Sequence, residues 1–273
     1  MRPVKVRLKT LSPLSIKSGD QKHYFEFFAG ERNVFFLNQK EFMSVLQNSK
    51  IDRQYIDLLS NAVFNNKKSE NFSVKNMLGQ LDCLLDEEKD RDLLDEVSHY
   101  VLTRNNKKVG KTIETLIRDI NYRPYIPGSS IKGAIRTAFY AEIFSRKIET
   151  GEKYYRVQWQ RENHRGRIIS CNTHNKLVND MFIKNEITVR EKYDAKYDFL
   201  KFIQISDAKL VGNDPSELMN FRVYGMKSKG GVPEFDQEVI QAGSEFEFTI
   251  KIDTERYNIW LKNMTGRYNN NNI

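Results

Sequence analysis

The stretch Tyr125-Ile-Pro-Gly-Ser-Ser-Ile-Lys-Gly-Ala-Ile-Arg-Thr-Ala-Phe-Tyr140 gathers the residue types that hold phosphate. Pro127 and Gly128 form a turn, Ser129 or Ser130 is a natural N-cap, and Ile131, Ile135, Ala138, Phe139 and Ile143 fall at helical spacing. The first turn of such a helix offers unpaired backbone N–H groups and the positive end of the helix dipole, and serine hydroxyls add donors without bulk. Lys132 and Arg136 stand four residues apart, so they leave one helical face together and reach phosphate oxygens on the same strand. Gly133 lets a backbone or ribose approach closely. Gly128, Ser129, Ser130, Lys132, Gly133 and Arg136 are therefore the candidate polyanion site, set against the plainer reading of a well-capped amphipathic helix with two incidental cations. Lys17, Ser18 and Gly19, expected in a loop after the first strand, join the same groove if that strand neighbours the helix.

The surroundings favour a polyanion. Between Arg104 and Arg167 there are 15 Lys or Arg against 6 Asp or Glu, so a net charge of +9 is concentrated there in a chain whose whole net charge is +8. A local excess of this kind points to nucleic acid rather than to a uniformly basic surface. Arg104, Lys107, Lys108 and Lys111 lie upstream of the helix. Downstream, Lys153-Tyr-Tyr-Arg156, Trp159, Arg161, His164, Arg165 and Arg167 interleave aromatics with cations, the mixture that stacks bases while neutralising phosphates. No set of base-edge readers stands out, so recognition of the RNA backbone without sequence preference is expected.

Other chemistries fit less well. The pattern Gly-x-x-x-x-Gly-Lys-Ser or Gly-Lys-Thr does not occur, and Gly110-Lys-Thr112 lacks the earlier glycine, which leaves no phosphate loop of that type and no cofactor to expect. Cys83 and Cys171 stand far apart, and Asp207 in Ile205-Ser-Asp207 has no partner carboxylate at readable spacing, so no metal is expected and Asp207 is read as a hydrogen-bonding residue at a strand end. His23 follows Ser18-Gly19-Asp20 and is the one histidine placed to serve as a general base toward a 2′-hydroxyl; beside Lys22 and Tyr24 it reads as an ordinary surface residue. The expectation is a protein without catalysis.

These residues need elements to position them. Val4, Val6 and Leu8 alternate with Lys5, Arg7 and Lys9, the period of a half-buried strand. Tyr24 to Ala29 and Val34 to Leu37 flank Gly30-Glu-Arg-Asn33 as a hairpin. Leu58, Leu59, Val63, Leu81, Leu84, Leu85, Leu94 and Val97 follow helical spacing, so residues 39–118 are expected as a helical insertion, with an acidic face between Asp82 and Glu96 read as a solvated surface or, alternatively, as one that meets a basic neighbour. Strands return at Phe199 to Ala208, Phe221 to Tyr224 and Phe246 to Ile252. The fold expected is α+β with an antiparallel sheet. With 39% hydrophobic residues in 273 a core is readily filled. The charged N-terminus leaves no room for a signal peptide and no run of about 18 apolar residues appears, so a cytoplasmic location without membrane contact is expected.

Ile126-Pro-Gly-Ser-Ser-Ile-Lys-Gly-Ala-Ile-Arg136 resembles the most specific motif of the RAMP superfamily of CRISPR proteins, and the best match within it is the family of fifth subunits of the type III-A Csm complex. Leu8 to Gly19 resembles that family's opening strand and glycine loop, Ile205 to Ala208 its central strand, and Val239 to Asp253 its later strand. The resemblance implies a ferredoxin-like (RNA-recognition-type) core over residues 1–38 and 119–273. It also implies binding of guide RNA, a cap on the guide 3′ end beside the repeated backbone subunit, and help in guide maturation through host nucleases. The family carries a further C-terminal region with a glycine-rich loop. No such pattern follows Asp253, and the role of that loop is not carried over. The rival within the superfamily is an endoribonuclease that processes precursor RNA or cuts target RNA. Its target-cutting members carry an Ile-Asp-Ser-Pro type loop early in the chain, which is missing here.

Overall fold

The computed structural model describes residues 3–64, 73–104, 109–149, 199–223 and 234–269. The chain folds as two compact units, the first formed by residues 1–7, 126–208 and 247–273 and the second by residues 8–125 and 209–246.

The first unit carries the helix that the Pro-Gly-Ser-Ser motif opens. Its five-stranded sheet runs in the order β1 (Val4–Lys9), β12 (Glu245–Ile252), β9 (Ala208–Leu210) and β7 (Tyr125–Ile126), with β8 (Ile203–Ile205) also pairing antiparallel to β12. Strand β1 keeps the expected alternation at Val6 and Leu8, half-buried between the exposed Lys5, Arg7 and Lys9, whereas Val4 is exposed. Phe199–Phe202 is a short 3-10 helix where strand was expected, because Phe202 turns inward to meet Tyr257 and Trp260 of the C-terminal helix Thr254–Asn269.

The second unit holds a seven-stranded sheet in the order β2 (Lys17–His23), β6 (Thr112–Leu116), β11 (Glu234–Ile240), β10 (Ser216–Arg222), β5 (Ser98–Arg104), β4 (Asn33–Leu37) and β3 (Phe27–Ala29). The β3–β4 hairpin is as expected. The sheet is mixed rather than antiparallel, since β10–β5 and β11–β6 pair in parallel. Strand β4 is buried on both faces, which explains its unbroken apolar run. Phe35 and Leu37 enter a cluster with Phe42, Leu46, Tyr55, Met77 and Leu94, while Val34 and Phe36 meet Leu102, Ile113 and Leu218.

Helices α1 (Gln39–Asn48), α2 (Asp52–Phe64), α3 (Val74–Gln80) and α4 (Arg91–Glu96) supply the first of these clusters, in the segment read as helical. The expected helical stretch nevertheless ends at Glu96. Ser98–Arg104 and Thr112–Leu116 are strands, because Leu102, Ile113 and Leu116 bury on a sheet face and not on a helical stripe. Lys17, Ser18 and Gly19 also depart from expectation: they open strand β2 and do not lie in a loop. A bulge between Lys17 and Gln21, with Gly19 at φ +92°, lets Ser18 reach back to Thr115, hydroxyl to hydroxyl at 2.7 Å.

Candidate nucleic-acid interface

Helix α5 (Gly128–Glu149) opens within the motif but earlier than expected: Gly128 is its first residue, so Ser129 and Ser130 lie in the first turn and neither is the N-cap. Its N-terminus is fixed on the sheet of the first unit by three groups. A Cβ at Gly128 would stand 2.4 Å from the Ile205 carbonyl oxygen and 2.9 Å from that of Ser206, so glycine is required there for the helix to seat on the end of β8. The Gly128 N–H donates to Oδ1 of Asp207 at 2.8 Å. The Ser130 and Ile131 N–H groups both donate to the Pro127 carbonyl. The positive end of the helix is thus occupied in part by the chain's own carboxylate, which corrects the expectation of an open anion seat formed by unpaired N–H groups. Asp207 takes the hydrogen-bonding part read for it from sequence. Among the described residues there is no group of three or more His, Cys, Asp or Glu able to hold a metal.

The other motif residues divide by exposure. Gly128 is buried, whereas Ser129 and Ser130 are exposed on the first turn. Gly133 is exposed one turn on, with nothing within 4 Å of the position its Cβ would take, so an incoming backbone has room. Lys132 is half-buried, and its Nζ donates to the Ile203 carbonyl at 2.9 Å, at the start of β8. Its charge therefore also ties helix to strand. Arg136 is half-buried on the next turn. Of the apolar stripe, Ile131 is buried, while Phe139 keeps 43% of its surface open.

Lys17, Ser18 and Gly19 belong to the second unit, on a strand that pairs with β6. Lys17 is drawn to Glu114 at 3.5 Å and lies over the Phe235 ring, and the Ser18 hydroxyl is engaged by Thr115 and by the Asp20 N–H. His23 stacks on Phe25, and its N–H donates to Glu26. Lys107, Lys108 and the run from Lys153 to Arg167 lie outside the described residues.

Sequence reading missed a buried ionic cluster in the second unit. Arg118, 6% exposed, donates to Glu238 at 3.1 Å and to Asp214 at 2.8 Å, and its guanidinium lies 4.0 Å above the Tyr100 ring. Glu238 is fully buried and also accepts from the Tyr100 hydroxyl at 2.6 Å and the Leu116 N–H. Burial works against the Arg118 charge, but Glu238, Tyr100 and Asp214 outweigh it and raise its pKa. No local pattern signals this, because the partners lie 96 and 120 residues away in sequence. The acidic stretch from Asp82 to Glu96 is likewise busy within the fold. Glu87 accepts from the Arg32 N–H and from Asn33 in the β3–β4 turn, and Asp86 accepts from the Glu88 and Lys89 N–H groups.

The chain is thus a mixed α/β protein that seats a Gly-Ser-Ser helix start on its sheet, with Ser129 and Ser130 exposed. Residues 7–271 match the family model of the RAMP superfamily, and the chain belongs to it. Within that superfamily it is similar to Csm5 proteins. The CRISPR system Cms protein Csm5 of Methanocaldococcus jannaschii is 22% identical, aligning 97% of this chain with 56% of its own length. That of Streptococcus thermophilus is 25% identical, over 93% of this chain and 65% of its own. The chain thus spans a little over half to two thirds of the length of these relatives. Among solved structures it resembles the crystal structure of T. onnurineus Csm5, with TM-score 0.68 at 21% identity, covering 94% of this chain and 70% of that one. It also resembles a chain in a cryo-EM structure of a Csm–crRNA–target RNA ternary complex of a type III-A CRISPR-Cas system, with TM-score 0.60 at 22% identity, over 93% of this chain and 65% of that one.

Proposed function

We propose that this protein is a non-catalytic guide-RNA-binding subunit of a type III-A CRISPR effector complex, built on a ferredoxin-like core. In this reading it works in the cytoplasm, caps the guide 3′ end beside the repeated backbone subunit, and supports guide maturation with host nucleases. The observation that carries the reading is the similarity to Csm5 relatives along 93–97% of the chain. The site agrees with it. Ser129, Ser130 and the open surface at Gly133 form a rigid, side-chain-poor edge where an RNA backbone can lie, with Arg136 on the following turn. Gly128, Asp207 and Lys132 hold that edge in place. Lys17, Ser18 and Gly19 are a second, weaker contact.

Replacing Ser129 and Ser130 by aspartate tests the edge without endangering the helix, since acidic residues in a first turn stabilise it. Binding of a short guide-like RNA by the full chain is expected to weaken at least about tenfold through repulsion of phosphate. Unchanged binding removes the two serines from the interface. RNA cleavage that disappears in a His23→Ala variant moves the protein to the endoribonucleases of its superfamily.

A further inference from the structure

His99 and Tyr122 form an exposed aromatic pair that the reading above leaves unused. Their ring centroids are 4.3 Å apart with planes 19° from parallel, and Tyr122 also stacks on Tyr100 at 5.8 Å. His99 is exposed and Tyr122 keeps 38% of its surface open. Two local irregularities of the backbone create the pair. The register of β4 against β5 moves from Phe36 opposite Tyr100 to Leu37 opposite Ser98, which leaves His99 as an extra residue in a bulge. A bulge turns a side chain away from the direction strand alternation dictates. Tyr122, in turn, adopts φ +57°, a conformation that a bulky residue seldom takes.

The loop that imposes this conformation is tightly held. Asp119 accepts from the Asn121 and Arg123 N–H groups, the Tyr122 N–H donates to the Asp119 carbonyl, and Arg118 donates to the Tyr122 carbonyl at 2.7 Å. Arg118 is in turn fixed by the buried Glu238. Strained backbone and bulges both recur at functional sites, and here they converge on one exposed feature. Partial burial and the neighbouring Lys22 ammonium lower the His99 pKa, so the imidazole is neutral at pH 7 and stacks as a flat aromatic ring.

We propose that the His99–Tyr122 pair is a stacking platform for an unpaired nucleobase of single-stranded RNA. This rests on the RNA-binding reading and adds to it a contact with a base where the α5 edge offers contacts to phosphate. Flat rings, pre-ordered and partly open to solvent, accept any base through its π face, and Lys22 adds positive charge beside them, shared with Glu26 at 2.8 Å. The platform therefore gives affinity without sequence preference.

The test uses the full chain and guide-like RNAs carrying single 2-aminopurine or abasic substitutions, read by fluorescence and anisotropy at two salt concentrations. Wild-type protein is expected to change the 2-aminopurine signal at one position. The H99A/Y122L variant should lose that change and bind about tenfold more weakly with the same salt slope, since no phosphate contact is lost. An abasic site at the responsive position should erase the difference between the two proteins. A ring-preserving H99F/Y122W variant should retain binding and controls for folding. Wild-type binding matched by H99A/Y122L overturns the platform alone and leaves the RNA reading standing. Failure of the wild-type chain to bind RNA overturns both.

Discussion

At the start of α5 a single carboxylate, Asp207, takes the place that an external anion was expected to fill. Its removal exposes the Gly128 N–H, so Asp207→Ala is expected to cost about 1 kcal/mol in urea unfolding, whereas Asp207→Asn, which keeps an acceptor oxygen, should lose less than half of that. Gly128→Ala is expected to be worse, at roughly 1–3 kcal/mol, because the added methyl meets two backbone carbonyls that cannot move independently. That a helix starts in the motif was legible, since turn chemistry is local, although Ser129 and Ser130 sit in the first turn and not at the cap. The acceptor was not, because it arrives from 79 residues away. Glu87 gives a pH prediction. Burial raises its pKa, but the N–H groups of Arg32 and Asn33 and the Asn33 side chain outweigh that and hold it below the ordinary 4.5. A depressed carboxylate contributes stability that is complete above its unfolded pKa and is lost as pH falls through the lower folded value. Acid titration of stability below pH 4.5 should therefore be shallower in Glu87→Gln than in the wild type.

Among the elements, β5 and β6 were hidden from sequence reading and β1, β4, the β3–β4 hairpin and α5 were not. Alternation marked β1 and a doubly buried apolar run marked β4, while Ser98–Arg104 follows directly on helical residues and its period is broken by the bulge at His99. The two strands are joined to β10 and β11 by parallel pairing and by the Arg118–Glu238 pair, contacts between distant residues that periodicity does not encode. Arg118→Met leaves the Glu238 carboxylate buried without its counter-charge and is expected to cost about 3–5 kcal/mol. Adding Glu238→Leu should restore only part of that loss, because it removes the unpaired charge but leaves the Tyr100 hydroxyl and the Leu116 N–H without their acceptor. Thermal unfolding of the two variants side by side checks both statements, and equal stability of single and double variants contradicts them.

For the molecule as a whole, sequence reading reached the superfamily and the helix that starts in the motif. It did not reach the division of the chain into two units, whose boundaries at residues 7, 125, 208 and 246 differ from those of the core that the resemblance implied and of the insertion read from helical spacing. Such boundaries follow from which residues pack together, and four chain crossings leave no composition shift behind. The most direct measurement of the central claim is ultraviolet crosslinking of guide RNA in the assembled effector complex containing this chain, with the crosslinked nucleotides mapped along the guide. Crosslinks from this subunit confined to the nucleotides at the guide 3′ end, and diminished by the S129D/S130D substitution, are what the account predicts. Crosslinks elsewhere on the guide, or none to this subunit, would contradict it.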